Sequence, residues 1–143
     1  MDDPFNLYRF VQMQEDAYQS ALVEVRAGKK RLHWMWFIFP QLRGLGRSHA
    51  SNHFGIRSLD EARAYLDHLQ LGPRLRESME AAVLWSTRRT AQQIFGHVDA
   101  IKLRSSATLF DLVEPNGIFA EVLAGFFRGQ RDDRTLALLN AEQ

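Results

Sequence analysis

Apolar residues recur at intervals of three and four along most of the chain, which is the pattern of helices with one buried face. The pattern predicts a first short helix that begins at Asp3 and Pro4, and a second over residues 15–27 that ends at Gly28. Further helices are predicted at 59–68, 72–83, 91–95 and 99–113, and two more are capped by Asn116 and Asp132. We therefore expect a mainly α-helical single domain over residues 1–143, with about seven or eight helices.

Two local signals refine this prediction. Ser58 and Glu61 have the spacing of a capping box, which marks the start of the helix at 59–68.

Residues 33–39 are apolar on both faces whether they form a strand or a helix, so the segment must be buried. Its shortness favours a strand, and Pro40 ends it in either case. Residues 41–51 are predicted to form a loop with glycine hinges at Gly44 and Gly46.

Composition and charge narrow the functional classes. The formal net charge of +1 gives no global support for specific nucleic-acid binding, so any positive patch must be local. The absence of cysteine excludes a thiol nucleophile and a zinc–thiolate site. The N-terminus is acidic, and no stretch approaches the roughly 20 apolar residues of a membrane-spanning helix. We expect a cytoplasmic protein that does not enter the membrane.

The predicted helix over residues 99–113 places a lysine on its buried side. On a helical wheel one narrow face is small or polar and is expected to face solvent: Ala100, Arg104, Ala107 and Asp111. Lys102, Ser105 and Ser106 fall in the opposite, apolar arc. A buried lysine is costly unless it is paired or meets an anion. Three outcomes stay open: Lys102 reaches solvent at the rim, pairs with a carboxylate such as Glu24 or Asp99, or lines a pocket for a ligand phosphate or carboxylate.

The segment 28–48 combines cations, aromatic residues and a glycine-bearing loop. Its first cations suit either a helix end or the wall of an anion site shared with Arg43 and Arg47. The loop from Gly44 to Ser48 offers backbone N–H groups and a hydroxyl, as phosphate loops do. It lacks the third glycine of a dinucleotide fingerprint.

The aromatic and imidazole side chains each have a structural and a functional interpretation. Trp34 and Trp36 are either core residues or platforms on which a ligand ring stacks. His33 is either a core histidine or a general base. His49 and His53 have the i, i+4 spacing of a metal pair, but no third ligand stands at motif spacing, and we predict neither a metal nor another cofactor.

Four pieces of sequence carry a resemblance to a known family. They are residues 28–41 (GKKRLHWMWFIFPQ), 44–48 (GLGRS), 61–66 (EARAYL) and 102–110 (KLRSSATLF). Together they resemble a bacterial family of domains of unknown function, family eighteen-ten, sometimes labelled calpastatin-like, over residues 5–139. The resemblance implies a mainly α-helical fold, favours a helix for residues 33–39, and implies no assigned activity. The calpastatin label does not fit, because calpain inhibitors of that type are disordered whereas this chain has a regular helical core pattern.

Two functions follow from these observations. The first is the binding, with or without hydrolysis, of a phosphorylated ring-bearing metabolite of the nucleotide or ADP-ribose type, between the segment 28–48 and the helix around residues 102–106. His33 or Glu24 would then be the catalytic base. The second is a non-enzymatic protein-interaction module that docks through its basic face. The candidate ligand-binding residues are Lys29, Trp34, Trp36, Gln41, Arg43, Gly44, Gly46, Arg47, Ser48, Lys102, Ser105 and Ser106.

Overall fold

The computed structural model describes residues 2–141, and most of them are helical. The helices are α1 (Tyr8–Arg26), α2 (Met35–Ile38), α3 (His49–His53), α4 (Leu59–Asp67), α5 (Leu71–Val83), α6 (Ala91–Phe95), α7 (His97–Val113), α8 (Ile118–Phe127) and α9 (Asp133–Ala141). The described part of the chain contains no strand, and Leu42 and Ile56 form an isolated parallel bridge. The predicted mainly α-helical fold is confirmed. No helix within residues 2–141 is long and apolar enough to cross a membrane.

Helix α7 lies at the centre of the molecule. It packs against α4, α6, α8 and α9, while α5 packs against α1, α4 and α8. The predicted solvent face of α7 is wrong, because Ala100, Ala107 and Asp111 are buried. A helix surrounded by four others has little surface left for water.

The segment that follows α8 explains why polar residues are buried on α7. Arg104 donates to the backbone carbonyls of Gln130 and Arg131, at 2.9 and 2.8 Å. The Thr108 hydroxyl accepts the Asp132 backbone N–H at 2.8 Å. The polar groups of Arg104 and Thr108 are therefore satisfied by the chain itself rather than by solvent.

The N-terminal helices predicted separately form one helix, α1, of 19 residues. No glycine or proline interrupts residues 8–26, so nothing ends the first segment. The polar Gln14, in the middle of α1, is buried and donates to the Phe37 carbonyl at 2.6 Å. The predicted start at Asp3 and Pro4 is wrong, because α1 begins at Tyr8 and its N-cap residue is Leu7, with no side-chain cap bond. The Asp3 carboxylate instead accepts the backbone N–H groups of Leu7 and Tyr8 from the preceding turn.

The predicted caps have mixed outcomes. The Ser58 hydroxyl accepts the Glu61 backbone N–H at 3.1 Å, as the capping box requires. The reciprocal bond is replaced, because the Glu61 carboxylate accepts from the Arg57 backbone N–H instead. Asp132 caps α9 as predicted, accepting from the Thr135 N–H. The predicted cap of α8 is wrong: the N-cap residue is Gly117, with no side-chain cap bond, and not Asn116.

The aromatic segment forms the short helix α2 rather than a strand, and its burial is confirmed at Met35, Phe37 and Ile38. The predicted loop at 41–51 ends earlier than expected, because Ser48 caps α3 by accepting the Ser51 N–H at 3.0 Å. Helices α2 and α3 have four and five residues, too short to give a clear periodic signal.

Arg9 is a buried cation that joins three parts of the chain. Its guanidinium donates to the carbonyls of Phe5 and Asn6 at the N-terminus and to those of His53 and Gly55 after α3. It also pairs with the Glu61 carboxylate at 2.6 Å, and both side chains are almost fully buried. These bonds fix the N-terminal segment and the end of α3 against α4.

Replacing Arg9 should therefore destabilise the fold. Arg9→Met leaves the Glu61 carboxylate buried without its partner, and we expect the free energy of unfolding to fall by about 3–5 kcal/mol. Urea denaturation measures the change. The matched control is Arg63→Met, whose pair with Asp60 is exposed and should contribute about 0–1 kcal/mol. Equal losses in the two variants would contradict the role assigned to Arg9.

Candidate ligand-binding site

A cavity of about 250 Å³ opens where α7, the loop before α3 and the start of α9 meet. Helix α7 supplies one face, with residues three and four positions apart: Val98, Ile101, Lys102 and Ser105. The other walls come from two distant parts of the chain: Gln41, Leu45, Gly46, Asp132 and Arg134. We call this space the α7 cavity.

Gln41 is the most informative residue of the α7 cavity. The residue keeps only 6% exposure, and within residues 2–141 its amide makes no hydrogen bond; the amide atoms reach the open space of the cavity rather than being fully enclosed. Its backbone is fixed, because the Gln41 carbonyl accepts the Ile56 N–H at 2.9 Å. The wall of the cavity therefore holds a positioned amide whose donors and acceptor are free for a ligand.

The Lys102 ammonium lies beside the same cavity and is paired. It is 3.2 Å from Asp99 Oδ1 and 4.5 Å from the centre of the Trp36 ring. Lys30 approaches the other oxygen of Asp99 at 2.9 Å and lies 4.9 Å from the Trp34 ring. Of the three outcomes left open for Lys102, the structure has the pairing with Asp99, and the side chain also lines a cavity.

The remaining polar groups of the α7 cavity are held by one another. The Ser105 hydroxyl lies 3.1 Å from both the Ile101 carbonyl and Asp132 Oδ2. Asp132 Oδ2 also accepts from the N–H and hydroxyl of Thr135. Arg134 donates to the Leu45 carbonyl at 3.1 Å and so joins α9 to the loop. The wall is therefore fixed before any ligand binds.

The glycine loop is shaped by packing. A Cβ atom on Gly46 would lie 2.4 Å from the Ser51 hydroxyl, so only glycine fits beside α3. Gly44 adopts a left-handed conformation, with φ +102°. Of the loop residues predicted to bind phosphate, Gly46 lines the α7 cavity, whereas Gly44, Arg47 and Ser48 do not. The Ser48 hydroxyl is used to cap α3.

The proposed base Glu24 has a structural role. Its Oε1 accepts the backbone N–H groups of Arg31 and Leu32 and the indole N–H of Trp34, at 2.8–3.1 Å. Burial raises the pKa of Glu24, but these three hydrogen bonds and the nearby Lys30 outweigh it, so the net pKa lies below the ordinary value. Glu24 thus ties the chain after α1 to α1 itself.

Several predicted site residues lie away from the α7 cavity. His33 is exposed, so it is neither a core histidine nor part of the cavity wall. Trp34 is buried in the core against Phe95, and Ser106 is fully buried with an unpartnered hydroxyl.

Three more of the predicted ligand-binding residues lie outside the α7 cavity. Lys29 lines a depression beside Glu24, Arg43 lines a second cavity, and Trp36 is half-buried beneath Lys102.

The cavity also contains residues that sequence reasoning missed. The face of α7 was readable, because Val98 and Ile101 stand at helical spacing from Lys102 and Ser105. Asp132 and Arg134 are about 30 positions further along the chain, and no sequence signal links them to Lys102.

Glu24→Gln should weaken the fold in a pH-dependent way. We expect a loss of about 1 kcal/mol near neutral pH, because a neutral amide accepts these hydrogen bonds less strongly. The folded-state pKa lies below the ordinary 4.5, so the carboxylate stabilises the fold above about pH 4.5, and this contribution is lost as pH falls through the folded pKa. The difference from the wild type should shrink in urea titrations taken from about pH 7 to pH 3. A constant difference, or an equal one in the exposed control Glu15→Gln, would refute this role.

Comparison with known proteins gives a family and one close structural relative. The chain is similar to the conserved hypothetical protein Rv1873 from Mycobacterium tuberculosis, with 50% sequence identity and a TM-score of 0.93. The alignment covers 96% of this chain and 99% of that one. No curated protein matches the chain. The family model described as Protein of unknown function (DUF1810) matches residues 4–139, so the resemblance seen in the sequence is confirmed and the chain belongs to this family.

Proposed function

We propose that the α7 cavity binds a compact phosphorylated metabolite that carries a ring and free hydroxyl groups, such as a nucleoside monophosphate or a sugar phosphate. The observation that carries the proposal is the amide of Gln41, which is held at the wall of the cavity without a partner within residues 2–141. Ligand sites use a small number of placed polar groups to orient the ligand, and an amide held in place with free donors and a free acceptor suits that role.

The charges around the cavity favour an anionic group. Asp99 is shared by Lys30 and Lys102, so this cluster keeps one positive charge after pairing. Arg134 and Asp132 also line the cavity with opposite charges, so the net positive charge is that of the lysine cluster, and Arg134 uses one of its donors on the Leu45 carbonyl. A phosphate near Lys102 would meet a cation whose position is already fixed.

The other walls favour a ligand that is more than a bare anion. The Asp132 carboxylate lines the cavity and suits hydroxyl groups, which donate hydrogen bonds to it. Val98 and Ile101 also line it, although they remain 62% and 50% exposed. Apolar side chains exposed at the mouth of a polar cavity offer a surface for a ring.

The size of the cavity limits the ligand. A volume of about 250 Å³ is below the roughly 300–1,000 Å³ of sites for drug-sized molecules. It therefore favours a monophosphate over the larger ADP-ribose type of ligand. Neither His33 nor Glu24 lines the cavity, so its geometry supports binding without hydrolysis. The basic docking face has less support, because Lys30 is buried in its pair with Asp99.

Gln41→Leu should separate binding from stability. Since the amide has no partner in the described chain, its loss should leave the free energy of unfolding unchanged or higher. The affinity for the preferred monophosphate should fall about tenfold, which is the effect of one lost hydrogen bond. Calorimetric titration with a panel of nucleoside monophosphates and sugar phosphates measures both wild type and variant. If no member of the panel binds the wild type, the proposal fails.

Lys102→Met should lower the same affinity by about ten- to a hundredfold, because a charge-assisted contact to phosphate is lost. The matched control is Lys30→Met. Lys30 also pairs with Asp99 and lies over a tryptophan, but it does not line the cavity. The control should keep most of the affinity. A similar loss in both variants would mean that Lys102 acts through the fold rather than on a ligand.

A further inference from the structure

A second cavity, of about 360 Å³, lies between the N-terminal segment and α3. We call it the arginine cavity. It shares no lining residue with the α7 cavity. Three arginines and two histidines are among the residues that line it, and none of its lining residues is acidic. One of the arginines, Arg43, was predicted from the sequence to bind phosphate together with Lys102, but the structure separates the two residues.

The three arginines have different roles. All three guanidinium nitrogens of Arg9 donate hydrogen bonds to the protein, and its charge is paired with the Glu61 carboxylate. Arg9 is therefore a structural part of the cavity wall. Arg43 and Arg57 are exposed, and within residues 2–141 neither guanidinium forms an ion pair or a hydrogen bond. Two unpaired positive charges therefore border one cavity.

The backbone holds Arg43 and Arg57 on joined segments. The Arg43 N–H donates to the Ile56 carbonyl at 2.8 Å, directly before Arg57. A Cβ atom on Gly55 would lie 2.7 Å from the Cα atom of Arg43, so the two backbone segments are in direct contact. This contact fixes the separation of the two arginine backbones before an anion arrives.

Helix α3 supplies further polar side chains to the same space. His49 and His53 are one turn apart, with ring planes 7° from parallel and centres 6.3 Å apart. Asn52 lies between them in sequence and also lines the cavity. Imidazole and amide N–H groups complement guanidinium groups around an oxyanion, which accepts several hydrogen bonds at once.

We propose that the arginine cavity is a second anion site, which holds a phosphate group between Arg43 and Arg57. Guanidinium groups bind phosphate through two parallel N–H donors, and the lack of any carboxylate in the wall leaves nothing to repel it. The α7 cavity differs in this respect, because Asp132 lines it. The phosphate belongs either to free inorganic phosphate or to a phosphomonoester whose remainder extends from the open cavity.

The test is calorimetric titration of the whole chain with inorganic phosphate, pyrophosphate and phenyl phosphate. Arg43→Gln and Arg57→Gln should each lower the affinity about tenfold, and the double variant should show no binding. Arg63→Gln is the control, since it removes an exposed arginine charge elsewhere and should bind as the wild type does. Tighter binding of phenyl phosphate than of inorganic phosphate would identify a phosphomonoester as the ligand, and the reverse would identify the free ion.

Two further results keep this proposal separate from the one for the α7 cavity. Gln41→Leu should bind inorganic phosphate as the wild type does, and in Arg43→Gln the backbone amides of Gly46 and Lys102 should still shift on nuclear magnetic resonance titration with the ring-bearing monophosphate. Unchanged unfolding midpoints in the arginine variants would exclude a folding defect. Absence of phosphate binding in the wild type, or binding that persists in the double variant, would overturn the proposal.

Discussion

The carboxylate of Asp99 joins the basic and aromatic segment to the central helix. One oxygen pairs with Lys30 and the other with Lys102, and each lysine lies over a tryptophan of the same segment. The Lys30 backbone also donates to the Ile94 carbonyl at 2.7 Å, which holds the segment beside α6. Without Asp99, two largely buried ammonium groups would lose their partner, which is far costlier than losing an exposed pair. The cluster explains why these cations and aromatic residues occur together.

Because Asp99 fixes Lys102, it also fixes one wall of the α7 cavity. The facing wall depends on the bridge between Leu42 and Ile56. The two neighbours of Leu42 in the chain line different cavities, Gln41 the α7 cavity and Arg43 the arginine cavity. One anchored residue therefore positions a polar side chain for each site, and both side chains are without partners in the described structure. This placement is what supports two ligand sites in so small a domain.

The sequence predicted much of the fold, because helix stops and caps are local. Four predicted helix boundaries lie within one or two residues of the observed ones: those at Gly28, Ser58, Gly96 and Asp132. The prediction of two N-terminal helices is wrong because residue 12 and residues 14–16 are polar, and one of these, Gln14, is buried through a bond to the distant Phe37 carbonyl. Contacts of this kind leave no local signal.

The candidate site was predictable only in part, for the same reason. The burial of Ser105 followed from the helical wheel of α7, whereas the pairing of Lys102 was one of three outcomes that the wheel left open. The same wheel placed Asp111 in solvent, because the residue that pairs with it, Arg131, lies 20 positions away in sequence. Arg43 was grouped with Lys102 by charge alone. The two residues line different cavities because the backbone of Arg43 packs against Gly55, a tertiary contact without a local sequence signal.

The most direct measurement is a nuclear magnetic resonance titration of the isotope-labelled protein with the nucleoside monophosphate or sugar phosphate that binds best. The expected result is a shift of the Gln41 side-chain amide, together with the backbone amides of Gly46 and Lys102, all saturating with one dissociation constant. That result would identify the unpartnered Gln41 amide as a ligand contact. Saturable shifts elsewhere, with the Gln41 amide unmoved, would contradict the assignment of the α7 cavity as the binding site.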